Sequence, residues 1–157
     1  MNFPAFQWER CVQLFLAAHS PQRLLRVVNI CLADTGVILL ALPLLVWWGG
    51  WAKGVGIIVA LLVSVGWIED LLKNLVQRGR PRDPHEWGLP SGDCVVVTAW
   101  AVPLLGGWAA IPIGIVAWAR VALGAHWPLD TVAGVALGLW LIGFLLTWSP
   151  LTIRGVH

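Results

Sequence analysis

The fold is decided by residues 92–126, GDCVVVTAWAVPLLGGWAAIPIGIVAWARVALGAH, in which two apolar stretches flank Gly106-Gly107. One straight helix, rising about 1.5 Å per residue, would hold Asp93 and His126 roughly 50 Å apart at opposite faces of a membrane. A hairpin that turns at the two glycines would return His126 to the face of Asp93. Its arms of roughly 21–25 Å would be short for a bilayer but acceptable with local thinning. Hydropathy alone allows both arrangements.

The rest of the chain is as apolar as this segment. Of its 157 residues, 59% are hydrophobic and 11% are charged, whereas an average soluble domain has roughly 25% charged residues. Residues 94–119 and 131–153 contain no charge, and residues 35–68 contain only Lys53. Such runs indicate membrane-spanning helices and exclude a soluble globular protein. At this length we expect one membrane domain, residues 1–157.

The hydropathy pattern predicts an all-α fold, a polytopic membrane helical bundle of five transmembrane helices plus an N-terminal interfacial helix. Residues 5–19 are too short and too polar to cross comfortably, which is typical of a helix lying in the interface. Gly134 and Gly138 form a small-residue ridge that favours close helix packing. The same ridge is compatible with a contact between copies in a homo-oligomer. The five predicted spans are at about 24–48, 55–76, 92–105, 109–125 and 129–148.

Charge and cysteine content exclude several classes of protein. The formal net charge is only +2, and the arginines are clustered, so we expect no nucleic-acid partner. The three cysteines lie in or beside apolar segments and predict neither a disulfide framework nor a metal site. The first residues lack the basic region, apolar core and cleavage site of a removable signal peptide. We expect no cofactor and no metal.

Half of the charged residues, nine of eighteen, lie in one segment, residues 69–93. Three polar clusters stand at the ends of predicted spans, and a hairpin over residues 92–126 would bring all three to one membrane face. Three cations, a hydroxyl and a backbone N–H at a helix start would then form a site suited to a phosphate group. This chemistry favours the hairpin. The clusters are Lys73 with Arg80-Pro81, then Pro90-Ser91-Gly92-Asp93, then Arg120 with His126 and Asp130.

The last cluster suggests a nucleophile. His126 and Asp130 are four residues apart, and if a helix runs through both, the carboxylate can hold one imidazole nitrogen as the N–H donor. The other nitrogen is then free to attack phosphorus or abstract a proton. Arginines would offset charge on the equatorial oxygens during in-line transfer. The pattern has no acidic cluster suited to magnesium, so we expect a metal-independent mechanism.

At these residues the chain resembles the type 2 phosphatidic acid phosphatase superfamily, whose members are membrane enzymes with a phosphohistidine intermediate. The resemblance covers roughly residues 55–145. The family signatures are Lys, six residues, Arg-Pro; Pro-Ser-Gly-His; and Ser-Arg, five residues, His, three residues, Asp. The resemblance implies a six-helix fold, with His126 as the nucleophile and Asp130 as its orienting partner. It also implies phosphate binding by Lys73, Arg80, Ser91, Gly92 and Arg120.

Two positions depart from the family pattern. Ala119 stands where the family has Ser, and Asp93 stands where the family has the His that protonates the leaving group. A carboxylic acid does this only while it holds a proton, which neighbouring arginines disfavour. The loss of this proton donor matters most for a phosphomonoester, whose alkoxide leaving group is strongly basic. It matters least for a diphosphate, whose leaving group is a phosphate. We therefore expect a bias towards isoprenyl diphosphates such as undecaprenyl diphosphate. His85 is an alternative proton donor.

The predicted function is an integral membrane lipid phosphatase or diphosphatase, with phosphatidate and phosphatidylglycerophosphate as further candidate substrates. Two alternatives share the same residues: a catalytically silent lipid-phosphate binder or transporter, and a lipid phosphotransferase. The resemblance implies the bacterial inner membrane with the site towards the periplasm. The positive-inside count of Arg10, Arg23 and Arg26 argues mildly for the opposite orientation.

Overall fold

A computed structural model of the protein describes residues 5–32 and 66–148, and the side chains up to residue 144. The described part is helical and has no β-strand apart from one isolated antiparallel bridge, between Gly79 and Trp87, which confirms the all-α class. Most of the predicted spans at 24–48 and 55–76 lies outside the described residues. The helices are α1 (Gln7–His19), α2 (Gln22–Leu32), α3 (residues 66–76), α4 (Gly92–Leu105), α5 (Ala110–Ala122) and α6 (Pro128–Trp148).

Helices α4 and α5 form the predicted hairpin. Between them lies one 3₁₀ turn, Gly106–Ala109, in which Gly106 has a φ of +53°. Such a left-handed backbone conformation favours glycine, because it has no Cβ. The two ends of the hairpin meet: Arg120 Nη1 lies 2.6 Å from Asp93 Oδ2, whereas a straight helix would separate these residues by about 40 Å. The hairpin prediction is confirmed.

By length and composition, Gly92–Ala122 is the one helical stretch among residues 5–32 and 66–148 that is long and apolar enough to cross a membrane. The turn at Gly106 divides it into two arms. Pro128–Phe144 is a shorter apolar helical stretch, and its Pro128 is in the first turn, where the missing N–H costs nothing.

The small-residue ridge of α6 packs against α4. A Cβ at Gly138 would lie 2.7 Å from Thr98 Cβ and 2.9 Å from the Val95 carbonyl oxygen. A Cβ at Gly134 would collide with the Ser91 carbonyl oxygen. The two backbones therefore approach too closely for any side chain on this ridge, and the predicted close packing is confirmed. This packing sets the start of α4 beside the start of α6.

Helices α1 and α2 pack on α5 and present apolar side chains outwards. Leu25 packs against Ala119 and Ala122, and Gln22 Nε2 donates to the Ala122 carbonyl oxygen at 3.2 Å. The outer faces of α1, α2 and α3 carry large exposed hydrophobic side chains, the kind of surface that marks contact with lipid or another apolar partner. These side chains include Leu14, Phe15, Leu24, Val27, Ile30, Trp67, Leu71 and Leu75.

We expect Gly138→Ala to lower the free energy of unfolding by about 1–3 kcal/mol, because the added methyl group must displace α4. Gly143, on the same helix, is the matched control. A Cβ there would meet no atom within 4 Å, so Gly143→Ala should be neutral or gain up to about 1 kcal/mol of helix propensity. Thermal unfolding in detergent measures both. Equal shifts for the two variants would contradict the close packing.

Candidate active site

His126 lies in the turn between α5 and α6 and is almost completely buried. Its Nδ1 is 2.7 Å from the Gly88 carbonyl oxygen. A carbonyl only accepts, so Nδ1 carries the proton and Nε2 is an unprotonated acceptor. Arg120 Nη2 donates to that Nε2 at 3.1 Å. The imidazole is therefore held as one defined tautomer, with its unprotonated nitrogen facing a guanidinium group.

Asp130, the predicted partner of His126, faces the same imidazole nitrogen from farther away than the Gly88 carbonyl does. Helix α6 begins at Pro128, so no helix runs through both residues, and Asp130 Oδ2 lies 3.8 Å from His126 Nδ1. The same Oδ2 instead accepts from the Trp127 N–H at 2.9 Å. Asp130 is thus a charge beside the imidazole, while the Gly88 carbonyl makes the direct hydrogen bond.

The surroundings of His126 favour its neutral form. Burial lowers the pKa of His126, because an imidazolium ion loses its hydration there. The positive charges of Arg120 and Arg80 lower it further, and the carboxylate of Asp130 opposes the shift without reversing it. The imidazole consequently stays unprotonated, and able to act as a nucleophile, at a pH where an ordinary histidine begins to gain a proton.

The segment 77–91 supplies the Gly88 carbonyl. It doubles back on itself: the Gly88 N–H donates to the Arg78 carbonyl oxygen at 2.7 Å, and the Arg80 N–H donates to the Glu86 carbonyl oxygen at 3.0 Å. A Cβ at Gly88 would lie 2.8 Å from Asp130 Oδ2, so this position requires glycine. The tip of the loop is exposed, but Arg78 and Gly88 are buried against the site.

Each of the three predicted phosphate-binding cations is paired with a carboxylate. Arg120 Nη1 lies 2.6 Å from Asp93 Oδ2, and since Nη2 contacts His126, this guanidinium bridges two of the predicted site residues. An incoming phosphate group would compete with the carboxylates for the same cations. The other two pairs are Lys73 with Glu69, and Arg80 Nη1 with Glu86 Oε2 at 2.7 Å.

Ser91 and Gly92 lie at the start of α4, as predicted. The Ser91 N–H donates to the Asp130 carbonyl oxygen at 2.9 Å, which joins the second sequence cluster to the third. Ser91 Oγ is fully buried and makes no hydrogen bond to a nitrogen or oxygen atom of the described residues. A Cβ at Gly92 would collide with the Glu69 carboxylate, so the Lys73–Glu69 pair lies against this helix start.

Asp93 accepts two hydrogen bonds, one in the ion pair with Arg120 and one from Asn29 Nδ2 at 3.2 Å. In both contacts Asp93 is the acceptor, which suits a carboxylate and not a proton donor. His85, the alternative proton donor, is exposed near the loop tip, where its backbone N–H donates to Asp83 Oδ1 at 3.0 Å.

Several residues at the site were not predicted as site residues. The contribution of Gly88 is a backbone carbonyl, which no side-chain pattern reveals. Arg78 stands two residues before the signature Arg80, and an arginine at this place in so apolar a chain was the one available signal. Glu9 lies within residues 5–19, whose polarity predicted only an interfacial helix. The unpredicted residues are Glu9, Asn29, Glu69, Arg78, Glu86 and Gly88.

Potential metal ligands are not grouped at the site. Within residues 5–32 and 66–148, no group of three or more His, Cys, Asp or Glu side chains is arranged to hold a metal ion. The three cysteines are free: Cys11 and Cys31 are exposed, and Cys94 is buried.

The fold is similar to that of the first transmembrane PAP2 type phosphatidylglycerolphosphate phosphatase from Bacillus subtilis. The TM-score is 0.71 at 16% sequence identity, over 92% of this chain and 87% of that chain. At this identity the likeness concerns the fold alone.

Two curated relatives match parts of the sequence. Undecaprenyl-diphosphatase of Sulfolobus acidocaldarius is 38% identical over 65 residues, 37% of this chain and 32% of the relative. Decaprenylphosphoryl-5-phosphoribose phosphatase of Mycobacterium tuberculosis is 34% identical over 99 residues, 54% of this chain and 52% of the relative. The chain thus spans between a third and a half of the length of these relatives.

The family model of the PAP2 superfamily matches residues 53–154. This range is more than half of the chain and contains Lys73, Arg80, Ser91, Arg120 and His126, the residues whose spacing first indicated the resemblance. Family model, fold and relatives agree, and the chain belongs to the PAP2 superfamily.

Proposed function

We propose that this protein is an integral membrane lipid phosphatase in which His126 Nε2 attacks the phosphorus atom of a lipid phosphate. The observation that carries the proposal is the hydrogen bond from His126 Nδ1–H to the Gly88 carbonyl, at 2.7 Å between nitrogen and oxygen. This bond keeps the proton on Nδ1 and the lone pair on Nε2, which is the state that a nucleophilic imidazole needs.

The proposed reaction has two steps. First, the Nε2 lone pair exchanges its hydrogen bond from Arg120 for a bond to phosphorus, and the bond between phosphorus and the leaving oxygen breaks, with its electron pair staying on that oxygen. Second, water attacks the phosphohistidine, which releases inorganic phosphate and restores the neutral imidazole. The positive charge that develops on the ring in the first step lies beside the Asp130 carboxylate, which favours it electrostatically.

Lys73, Arg80 and Arg120 would bind the phosphate oxygens in this proposal. Arg120 is best placed, because its guanidinium already contacts Nε2. The phosphate would take over bonds that the cations now make to Glu69, Glu86 and Asp93. The buried hydroxyl of Ser91 and the backbone N–H at Gly92, the first residue of α4, would supply further donors.

We infer that the preferred substrate is an isoprenyl diphosphate. Asp93 occupies the position of the family's proton donor, yet it accepts from Arg120 and Asn29. A leaving phosphate needs little protonation, whereas a leaving alkoxide needs much, so the substitution disfavours monoesters more. The name of one relative, an undecaprenyl-diphosphatase, supports this choice, whereas the name decaprenylphosphoryl-5-phosphoribose phosphatase contains a phosphoribose monoester and supports the polyprenyl part alone.

We further propose that residues 1–157 form one membrane domain in the bacterial inner membrane, with the site at the periplasmic boundary. The exposed apolar faces of α1, α2 and α3 support a lipid environment. The reaction as written uses only groups of this chain and water, so we propose that it needs no metal.

We expect His126→Ala to reduce phosphate release by detergent-purified protein by about 10³-fold or more, because no other group replaces the nucleophile. Labelled substrate followed by an alkaline quench should leave label on the parent and none on the variant. His19→Ala is the control, since His19 is exposed at the end of α1. Covalent label on His126→Ala would contradict the assignment. Transfer of label to an added lipid alcohol, in place of release to water, would favour the phosphotransferase.

We expect the parent to act on undecaprenyl diphosphate with a higher kcat/KM than on phosphatidate, and Asp93→His to narrow this gap. A working general acid contributes about 10²–10⁴-fold, and most of that gain should appear with the monoester. Asp70→Asn, on the exposed side of α3, controls for loss of a carboxylate. Equal relative activity of the parent on both substrates would refute the leaving-group argument. A silent parent with an active Asp93→His variant would indicate the lipid-phosphate binder.

The lowered pKa of His126 has a consequence for pH dependence. Protonation removes the nucleophile, so kcat/KM should fall as the pH falls, with a midpoint below the ordinary histidine value of about 6.5. The midpoint should be the same for a diphosphate and a monoester substrate, since it belongs to the free enzyme. A midpoint at or above 6.5 with both substrates would contradict the buried, neutral imidazole.

A further inference from the structure

A buried ionic cluster lies behind His126. Its members are Glu9 of α1, Arg78 of the loop and Asp130 of α6, and their side chains are 0%, 4% and 0% exposed. Arg78 Nη1 donates to Asp130 Oδ1 at 3.0 Å, and Nη2 donates to Glu9 Oε2. A planar guanidinium suits this task, because its fixed fork holds two carboxylates at once.

The remaining carboxylate lone pairs in this cluster accept backbone N–H groups. Glu9 Oε1 accepts from the Leu129 N–H at 3.1 Å, and Glu9 Oε2 accepts from the Phe6 N–H at 2.9 Å. Leu129 is the second residue of α6, so the side chain of α1 satisfies a donor at the start of another helix. Such complete pairing is what a buried charge requires. Glu9 of α1 is thus hydrogen-bonded to the start of α6, close to His126 in the sequence.

Arg78 is connected to His126 in two ways. Its side chain holds Asp130, whose other oxygen is 3.8 Å from His126 Nδ1. Its carbonyl oxygen accepts the Gly88 N–H at 2.7 Å, and the Gly88 carbonyl in turn accepts His126 Nδ1–H at 2.7 Å. Both groups that face Nδ1 are therefore fixed by one residue.

We propose that Glu9 and Arg78 are positioning residues for the reaction at His126, an inference that rests on the proposed function. Glu9 fixes the guanidinium and offsets its positive charge, so that the Asp130 carboxylate keeps its attraction for the positive charge that develops on the imidazole. Arg78 in turn fixes Asp130 and the Gly88 carbonyl. In the described structure neither side chain contacts Lys73, Arg80 or Arg120, the groups that would bind phosphate.

The first test compares Glu9→Gln with Arg10→Gln, a neighbouring exposed position on the same helix. Glutamine keeps the shape of Glu9 and removes its charge. We expect kcat for Glu9→Gln to fall by on the order of tenfold, as when a residue that supports a catalytic group is changed. KM and the inhibition constant of inorganic phosphate should stay within about twofold, because the phosphate-binding groups are untouched. Arg10→Gln should leave kcat, KM and phosphate inhibition unchanged.

A second variant, Arg78→Lys, keeps the positive charge but replaces the fork by a single point charge. We expect a similar fall in kcat with little change in KM. The double variant, with both Glu9→Gln and Arg78→Lys, should lose no more kcat than the less active of the two single variants. The effects of residues that act as one unit are not additive. Full multiplication of the two single effects would overturn the idea of a unit.

Four results separate the possibilities. An unchanged kcat for Glu9→Gln, with His126→Ala inactive, would refute the positioning role and leave the proposed function standing. Equal losses of kcat, phosphate affinity and thermal stability would refute it as well, because they indicate a structural role alone. Parent-level activity of His126→Ala would refute the nucleophile itself, and with it the inference. A selective fall in kcat, in a variant that binds phosphate normally, supports the inference.

Discussion

The site depends on one hydrogen bond, from His126 Nδ1–H to the Gly88 carbonyl oxygen. It requires the 77–91 loop and the turn between α5 and α6 to lie in contact, and a second bond, from the Arg82 N–H to the Gly124 carbonyl oxygen at 3.1 Å, holds them together at the other end. Gly124 has a φ of +69°, a conformation natural to glycine. The hairpin of α4 and α5 then brings Arg120 and Asp93 to the same place. The helices mainly serve to hold two short non-helical segments against each other.

Much of this arrangement was predictable, because it depends on features that a sequence displays. The two glycines at 106 and 107 allowed a hairpin, and the polar clusters at the ends of the predicted spans favoured it over a straight helix. The spacing of Lys73, Arg80 and Arg120 predicted a group of cations suited to phosphate. What escaped prediction was the partner of each group. The bond to His126 comes from a backbone carbonyl, which every residue has. Glu9 is paired with residues far along the chain, and no local pattern encodes a contact of that range.

Charge pairing explains how so apolar a chain tolerates its site. A cation held among apolar helices is costly unless a counter-charge accompanies it. Here each predicted phosphate-binding cation has its own carboxylate, and Arg78 has two. The positive charge of these cations is therefore offset within the site itself. A phosphate group must displace the carboxylates in order to bind these cations. This exchange favours a ligand with more negative charge than one carboxylate.

The position of Glu9 imposes an order on biosynthesis. Arg78 follows Glu9 by 69 residues and Leu129 follows it by 120 residues, so helix α1 leaves the ribosome long before either partner exists. Until then its carboxylate is most stable in water. Helix α1 can pack on α5 and pair Glu9 with Arg78 before α6 is made, but the Leu129 N–H joins Glu9 only when α6 has begun. The Glu9 carboxylate is thus fully paired only once the last described helix is present, and a nascent chain that stops before α6 leaves one of its oxygens without this donor.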